Sequence, residues 1–105
     1  MAHIEVIPLT GILESTSGGK LRRQIEQLVE SGCSMILIDC SAVEFMDSSG
    51  LGSLVMGMKY TRSRNGIFAL CGLNDQLKLL LDITDMAHTF EIYSSREAFW
   101  VAHQS

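Results

Sequence analysis

The chain has 105 residues, 47% of them hydrophobic, with 19% charged side chains, a single proline and a net charge of −4. That length suits one small domain spanning residues 1–105, with enough apolar material for a core, and it argues against disorder. The acidic balance is a poor match for nucleic acid, and no apolar run approaches the ~20 residues of a membrane span.

Residues 3–9, HIEVIPL, alternate at the start and read as a strand, with Pro8 placing it near a sheet edge. GILESTSGG reads as a turn cluster. Leu21, Ile25, Leu28 and Val29 then recur at helical spacing, and Gly32 sits where a C-terminal cap belongs. Residues 34–39, SMILID, are an apolar run too short for a helix and fit a strand covered on both faces. FMDSSGLG follows, opening a second amphipathic helix marked by Leu51, Leu54, Val55 and Met58, which ends near the Asn65-Gly66 turn. Residues 67–73, IFALCGL, form another buried strand, and Asn74 or Asp75 can cap a short helix carrying Leu77, Leu80 and Leu81. Residues 89–93, TFEIY, are the last strand, and SSREAFWVAH the last helix, with Ser94 and Glu97 at capping-box spacing. Strands alternating with helices predict an α/β domain with a mainly parallel four-stranded sheet and about four helices.

Catalytic patterns fail on spacing. Gly50, Gly52 and Gly57 miss the G-x-G-x-x-G frame because Val55 stands where the third glycine is required. Gly19-Lys20 lacks the rest of a phosphate loop, and Met46 and Asp47 occupy the upstream glycine positions that a G-x-S-x-G nucleophile at Ser48 or Ser49 demands. His3, His88 and His103 lie near the chain ends or in a loop, suggest neither a triad nor a metal site, and read as surface residues. Asp82 and Asp85 flank a turn and read as solvated. Cys33, Cys40 and Cys71 form no C-x-x-C pair and read as buried, reduced thiols of a cytoplasmic protein. No cofactor, metal, nucleic-acid or membrane partner is expected.

The DSSG turn at 47–50 has two compatible uses. Asp47 or Ser48 can cap the free N–H groups of the following helix. A helix start also favours negative charge, so a phosphoserine there leaves the fold intact and acts on a surface instead. If Leu51, Leu54, Val55 and Met58 face the sheet, then Ser49, Ser53, Met56 and Tyr60 project outward, and Gly52, Ser53 and Gly57 permit close approach. Met56 and Tyr60 fit either a binding patch or two ordinary exposed side chains. Lys59, Arg62 and Arg64 complement the helix's negative end.

Three segments carry a family resemblance: MILIDCSAVEFMDSSGLGSLV at 35–55, IFALCGLNDQLKLLLDITDM at 67–86 and TFEIYSSREAF at 89–99. Together they resemble the STAS domain family, in particular its free-standing bacterial anti-sigma factor antagonists, from about residue 4 to residue 101. The resemblance implies a non-catalytic phospho-switch without a cofactor. Ser48 would be the phospho-acceptor, Asp47 the cap that presents it, and Ser49 and Gly50 the residues that shape the turn. The helix spacing, independently of the resemblance, gives Ser53, Met56, Gly57 and Tyr60 as the expected partner-binding surface. The implied partners are a serine kinase that is also the anti-sigma factor, bound by the unphosphorylated form, and a PP2C-type phosphatase that removes the phosphate. Two departures stand out. The family's additional N-terminal strand has no counterpart before residue 3, which exposes a sheet edge to pairing in a homodimer, and GILE at 11–14 replaces the family's G-E-L-D, with Glu14 as a substitute acid. Two rivals are a scaffold or sensor module of the same fold and a small-molecule enzyme with a deep polar pocket at the strand C-termini.

Overall fold

The computed structural model describes residues 4–104, so His3 lies outside the described residues. The chain alternates strictly: β1 (Ile4–Leu13), α1 (Ser15–Glu30), β2 (Met35–Met46), α2 (Ser48–Ser63), β3 (Ile67–Cys71), α3 (Asp75–Ile83), β4 (Glu91–Tyr93) and α4 (Arg96–Ala102). The four strands form one sheet in the order β1-β2-β3-β4, every neighbouring pair parallel. Four strands, four helices and parallel pairing follow the α/β expectation.

Both faces of the sheet are buried, which explains why β2 begins as a continuous apolar run. Ile36, Ile38 and Cys40 point to one face, where they meet Leu21, Ile25 and Val29 of α1, Leu51, Leu54 and Met58 of α2, and Leu77 and Leu81 of α3. Met35 and Leu37 point to the other, joining Ala69, Cys71 and Phe99 of α4, with Trp100 and Tyr93 at the margin. Three helices therefore cover one face and one short helix the other. Each fully buried aliphatic side chain in these clusters contributes ~1.5–3 kcal/mol by leaving water.

The helix ends follow local chemistry. Past α1, Gly32 takes φ +100 while Cys33 N–H donates to Leu28 O and Gly32 N–H to Val29 O, the Schellman arrangement. Asn65 (φ 63) and Asp85 (φ 57) play the same part after α2 and α3, with Gly66 N–H reaching Thr61 O and Met86 N–H reaching Leu81 O. Pro8 lies on edge strand β1 beside a register shift, the kind of position that tolerates a residue without an N–H donor.

Several boundaries differ from the sequence reading. GILESTSGG is not a turn cluster: β1 runs on to Leu13 and α1 starts at Ser15. Glu14 is the N-cap, its carboxylate accepting from Ser17 N–H at 2.8 Å while Glu14 N–H donates to Ser17 Oγ at 3.0 Å. This is a capping box with the two residue types exchanged, and the backbone N–H of Ser17, then that of Thr16, hold the Glu14 carboxyl below its usual range. β2 extends to Met46 rather than stopping at 39, β3 stops at Cys71, and β4 begins at Glu91. Asn74, not Asp75, caps α3, and Ser95, not Ser94, caps α4 by accepting from Ala98 N–H at 3.1 Å.

Candidate functional site at the start of the second helix

The DSSG turn sits at the carboxyl end of β2, where it passes into α2. Asp47 is extended (φ −100, ψ −177), and its Oδ1 accepts from Gly50 N–H at 2.9 Å, so the cap falls to Asp47 and not to Ser48. Ser48 and Ser49 are the first two residues of α2 and are both exposed; among the described residues, neither hydroxyl has a protein hydrogen-bond partner. Gly50 is buried against β1: a Cβ there would lie 2.2 Å from the Leu13 carbonyl oxygen. On the other side of the cap, Asp47 N–H donates to that same carbonyl at 3.2 Å. Each letter of the motif thus has a physical role: a cap, two presented hydroxyls, and a glycine that lets the helix start against β1.

Ser48 opens onto a groove of about 580 Å³. Leu51, Gly52, Val55, Met56 and Lys59 of α2 form one wall, and Thr84, Met86 and Thr89 of the α3–β4 connection form the other. Met56 is 47% exposed. Its methionine counterpart across the groove is Met86, so the exposed patch joins α2 to the α3–β4 connection.

Three residues expected on the partner-binding surface of α2 are engaged with α1 instead. Ser53 is 8% exposed, and its hydroxyl donates to Ser49 O at 3.2 Å; a Cβ on Gly18 of α1 would lie 2.3 Å from it. Gly57 is buried beneath Ile25 of α1, with only 2.6 Å between a would-be Cβ and Ile25 Cδ1. Their small size serves the α1–α2 seam, a demand that helix spacing alone could not distinguish from an open surface. Tyr60 is tied to α1: its hydroxyl donates to the Glu30 carboxylate, and Arg64 stacks 4.8 Å from its ring while pairing with Glu30 at 3.0 Å. Arg62 donates to Thr89 O at 3.0 Å, fastening α2 to the segment that forms the far wall of the groove.

Sequence reasoning missed Asn74 and Gln76 as neighbours of the turn. Gln76 bonds both backbone groups of Met46, and Asn74 Nδ2 donates to Val43 O, each at 2.9 Å. No spacing rule links a side chain to backbone groups 30 or 31 residues earlier; only the parallel order of β2 and β3 brings them together.

Two further clusters lie apart from this groove. At the carboxyl ends of the strands, Asp39, Ser41, Cys71, Gly72, Ser94 and Arg96 line a hollow of about 260 Å³, under the ~300 Å³ lower bound of ordinary ligand pockets. Burial alone would raise the Asp39 carboxyl, but the Ser41 N–H and hydroxyl and the Arg96 guanidinium at 2.6 Å outweigh it and carry it below its usual range. His103 is not a plain surface residue: it is half-buried, packs 4.5 Å from the Phe99 ring and meets Glu91 at 3.0 Å and the Tyr93 hydroxyl at 3.2 Å. The hydrogen bond to Glu91, with burial second, pushes the Tyr93 phenol up to about 12. Among the described residues, no histidine lines the Ser48 groove and no group of acidic, histidine and cysteine side chains is suited to a metal.

Comparison with known proteins bears on the fold and on the family. The chain is 31% identical over 90 residues to an anti-sigma-B factor antagonist of Listeria monocytogenes, covering 86% of this chain and 78% of the relative. It is 28% identical over 91 residues, with the same coverage, to an anti-sigma F factor antagonist of Paenibacillus polymyxa. Among solved structures, the phosphorylated form of SpoIIAA, a Bacillus cell fate determinant, superposes with a TM-score of 0.74 at 20% identity, over 98% of this chain and 94% of that one. At that identity the likeness speaks for the fold. The family model described as the STAS domain matches residues 2–98, and the chain belongs to the STAS domain family.

Proposed function

We propose that this protein is an anti-sigma factor antagonist whose binding state is set by phosphorylation of Ser48. The unphosphorylated chain binds a serine kinase that is also the anti-sigma factor, phosphorylation of Ser48 ends that binding, and a PP2C-type phosphatase restores it. The observation that carries this reading is the placement of Ser48: exposed, relieved of capping by Asp47, and at the mouth of an apolar groove. The names of the relatives, both antagonists of anti-sigma factors, and the phosphorylated state of one structural neighbour support it.

The physics separates tolerance from signalling. A phosphate adds roughly −1.5 to −2 charges at neutral pH. At the first position of a sixteen-residue helix that charge meets the positive end of the helix dipole, which favours it by ~0.3–1 kcal/mol, so the fold holds. At the mouth of the groove the same dianion must lose water before an apolar partner surface can close over Leu51, Val55 and Met56, and binding weakens. The kinase supplies ATP and the chemistry; this chain supplies the hydroxyl.

The test is to incubate the protein with its cognate kinase and ATP and map the phosphate by mass spectrometry. The expected result is phosphate on Ser48, abolished in Ser48→Ala and retained in Ser49→Ala. Incorporation that persists in Ser48→Ala overturns the assignment.

A further inference from the structure

The pairing of β2 changes along its length. Its register with β3 ends at Asp39↔Cys71, where β3 turns away at Gly72 (φ +72), whereas its register with β1 continues to Met46. The last seven residues of β2, 40 to 46, therefore have a strand neighbour on one side only. Backbone groups on the open side still need partners, and an unsatisfied one near the core is costly.

Two side chains from the start of α3 take the missing strand's place. Gln76 Oε1 accepts from Met46 N–H and Gln76 Nε2 donates to Met46 O, both at 2.9 Å, reproducing the two-way exchange of a backbone neighbour. Asn74 Nδ2 donates to Val43 O at 2.9 Å and to Glu44 O at 3.4 Å, while its Oδ1 caps α3 at Leu77 N–H, 2.9 Å away. Met46 is the residue before the Asp47 cap, and it is fully buried. The start of α2 is thus held from two sides: by Leu13 O on β1 and by Gln76 on α3.

We infer that Gln76, assisted by Asn74, is a positioning residue for phosphoryl transfer to Ser48: it clamps Met46 so that Asp47 caps α2 and Ser48 projects in one fixed direction. This rests on the reading of Ser48 as the phospho-acceptor. An amide is required, because the clamp needs one donor and one acceptor on the same short arm. A carboxylate keeps the bond to Met46 N–H but offers no donor and sets its charge against Met46 O; a protonated carboxyl restores both.

The test compares wild type, Gln76→Ala and Gln76→Glu by amide hydrogen exchange. The amides read are those of Asp47 and Gly50, whose own acceptors, Leu13 O and Asp47 Oδ1, the substitutions do not touch. In Gln76→Ala they should exchange about tenfold faster, as for a turn that has lost its anchor, while core amides of Leu37 and Leu70 stay within twofold. Gln76→Glu, which keeps the acceptor of the clamp and loses its donor, should match Gln76→Ala at pH 7. With the cognate kinase and ATP, Gln76→Ala should lose about tenfold in kcat with KM within twofold. Unchanged Asp47 and Gly50 exchange, or wild-type kcat in Gln76→Ala, overturns the inference while leaving Ser48 as the acceptor. A wild-type chain that takes no phosphate at Ser48 overturns the proposed function itself, without recourse to any Gln76 variant.

Discussion

Gly50 and Gly52 stand two residues apart on α2 and meet opposite surroundings. A methyl group on Gly50 would press into the Leu13 carbonyl, a backbone atom that cannot rotate away, whereas nothing lies within 4 Å of the same position on Gly52. Gly50→Ala should therefore lower stability by ~1–3 kcal/mol, and Gly52→Ala should be neutral or stabilising by up to ~1 kcal/mol, because alanine is the better helix former. Urea unfolding of both variants checks the pair, and equal effects would show that the close approach of α2 to β1 is not what selects glycine. The sequence alone did not distinguish these two glycines. It did identify the turn: an acid, two serines and a glycine at a helix start mark a cap on chemical grounds, and the structure decided between Asp47 and Ser48. It set Ser53 and Gly57 on an open surface, whereas their small size answers to Gly18 and Ile25 on another helix.

At the scale of elements, β2 shows what periodicity can and cannot reveal. Its first half, MILID, declares a doubly buried strand by apolar run alone. Its second half, with Ser41, Ala42 and Glu44, reads as loop because β3 has ended and side-chain amides of α3 have replaced it. The first turn of α1 was hidden for a related reason: its serines and glycines are turn-formers by composition, but a reversed capping box and the contact of Gly18 with Ser53 hold them helical. Cys40, within β2, offers a test of the burial assigned to this strand. Burial is the main cause that raises its thiol from 9.0 to about 12, and Cys71 on β3 rises to about 11. The thiol is reactive only when ionised, so the raised Cys40 thiol holds far less thiolate at pH 8 than a free cysteine. Both cysteines should resist a disulfide reagent in the native protein at pH 8 and react promptly in 6 M guanidinium. Fast native labelling of Cys40 would contradict the packing of β2 beneath α1 and α2.

For the molecule as a whole, the alternation of strands and helices was enough to give a parallel α/β sheet. It was not enough to say that α4 alone covers the second face, since that follows from Phe99 meeting Met35 and Leu37, 64 and 62 residues earlier in the chain. The ion pair of Arg96 with Asp39 fixes the same helix to β2. This arrangement leaves the β2–α2 turn at one end of the sheet, backed by rigid elements on both sides and facing an apolar groove. The site is therefore a presented side chain on a firm support, suited to binding that a single charge can reverse. The most direct test is to titrate the cognate kinase with wild type and Ser48→Asp, recording circular dichroism of both chains. The account predicts that Ser48→Asp keeps the wild-type spectrum and melting temperature while its affinity falls by ten- to a hundredfold, roughly 1.4–2.7 kcal/mol. Undiminished affinity, or a loss accompanied by unfolding, would contradict it.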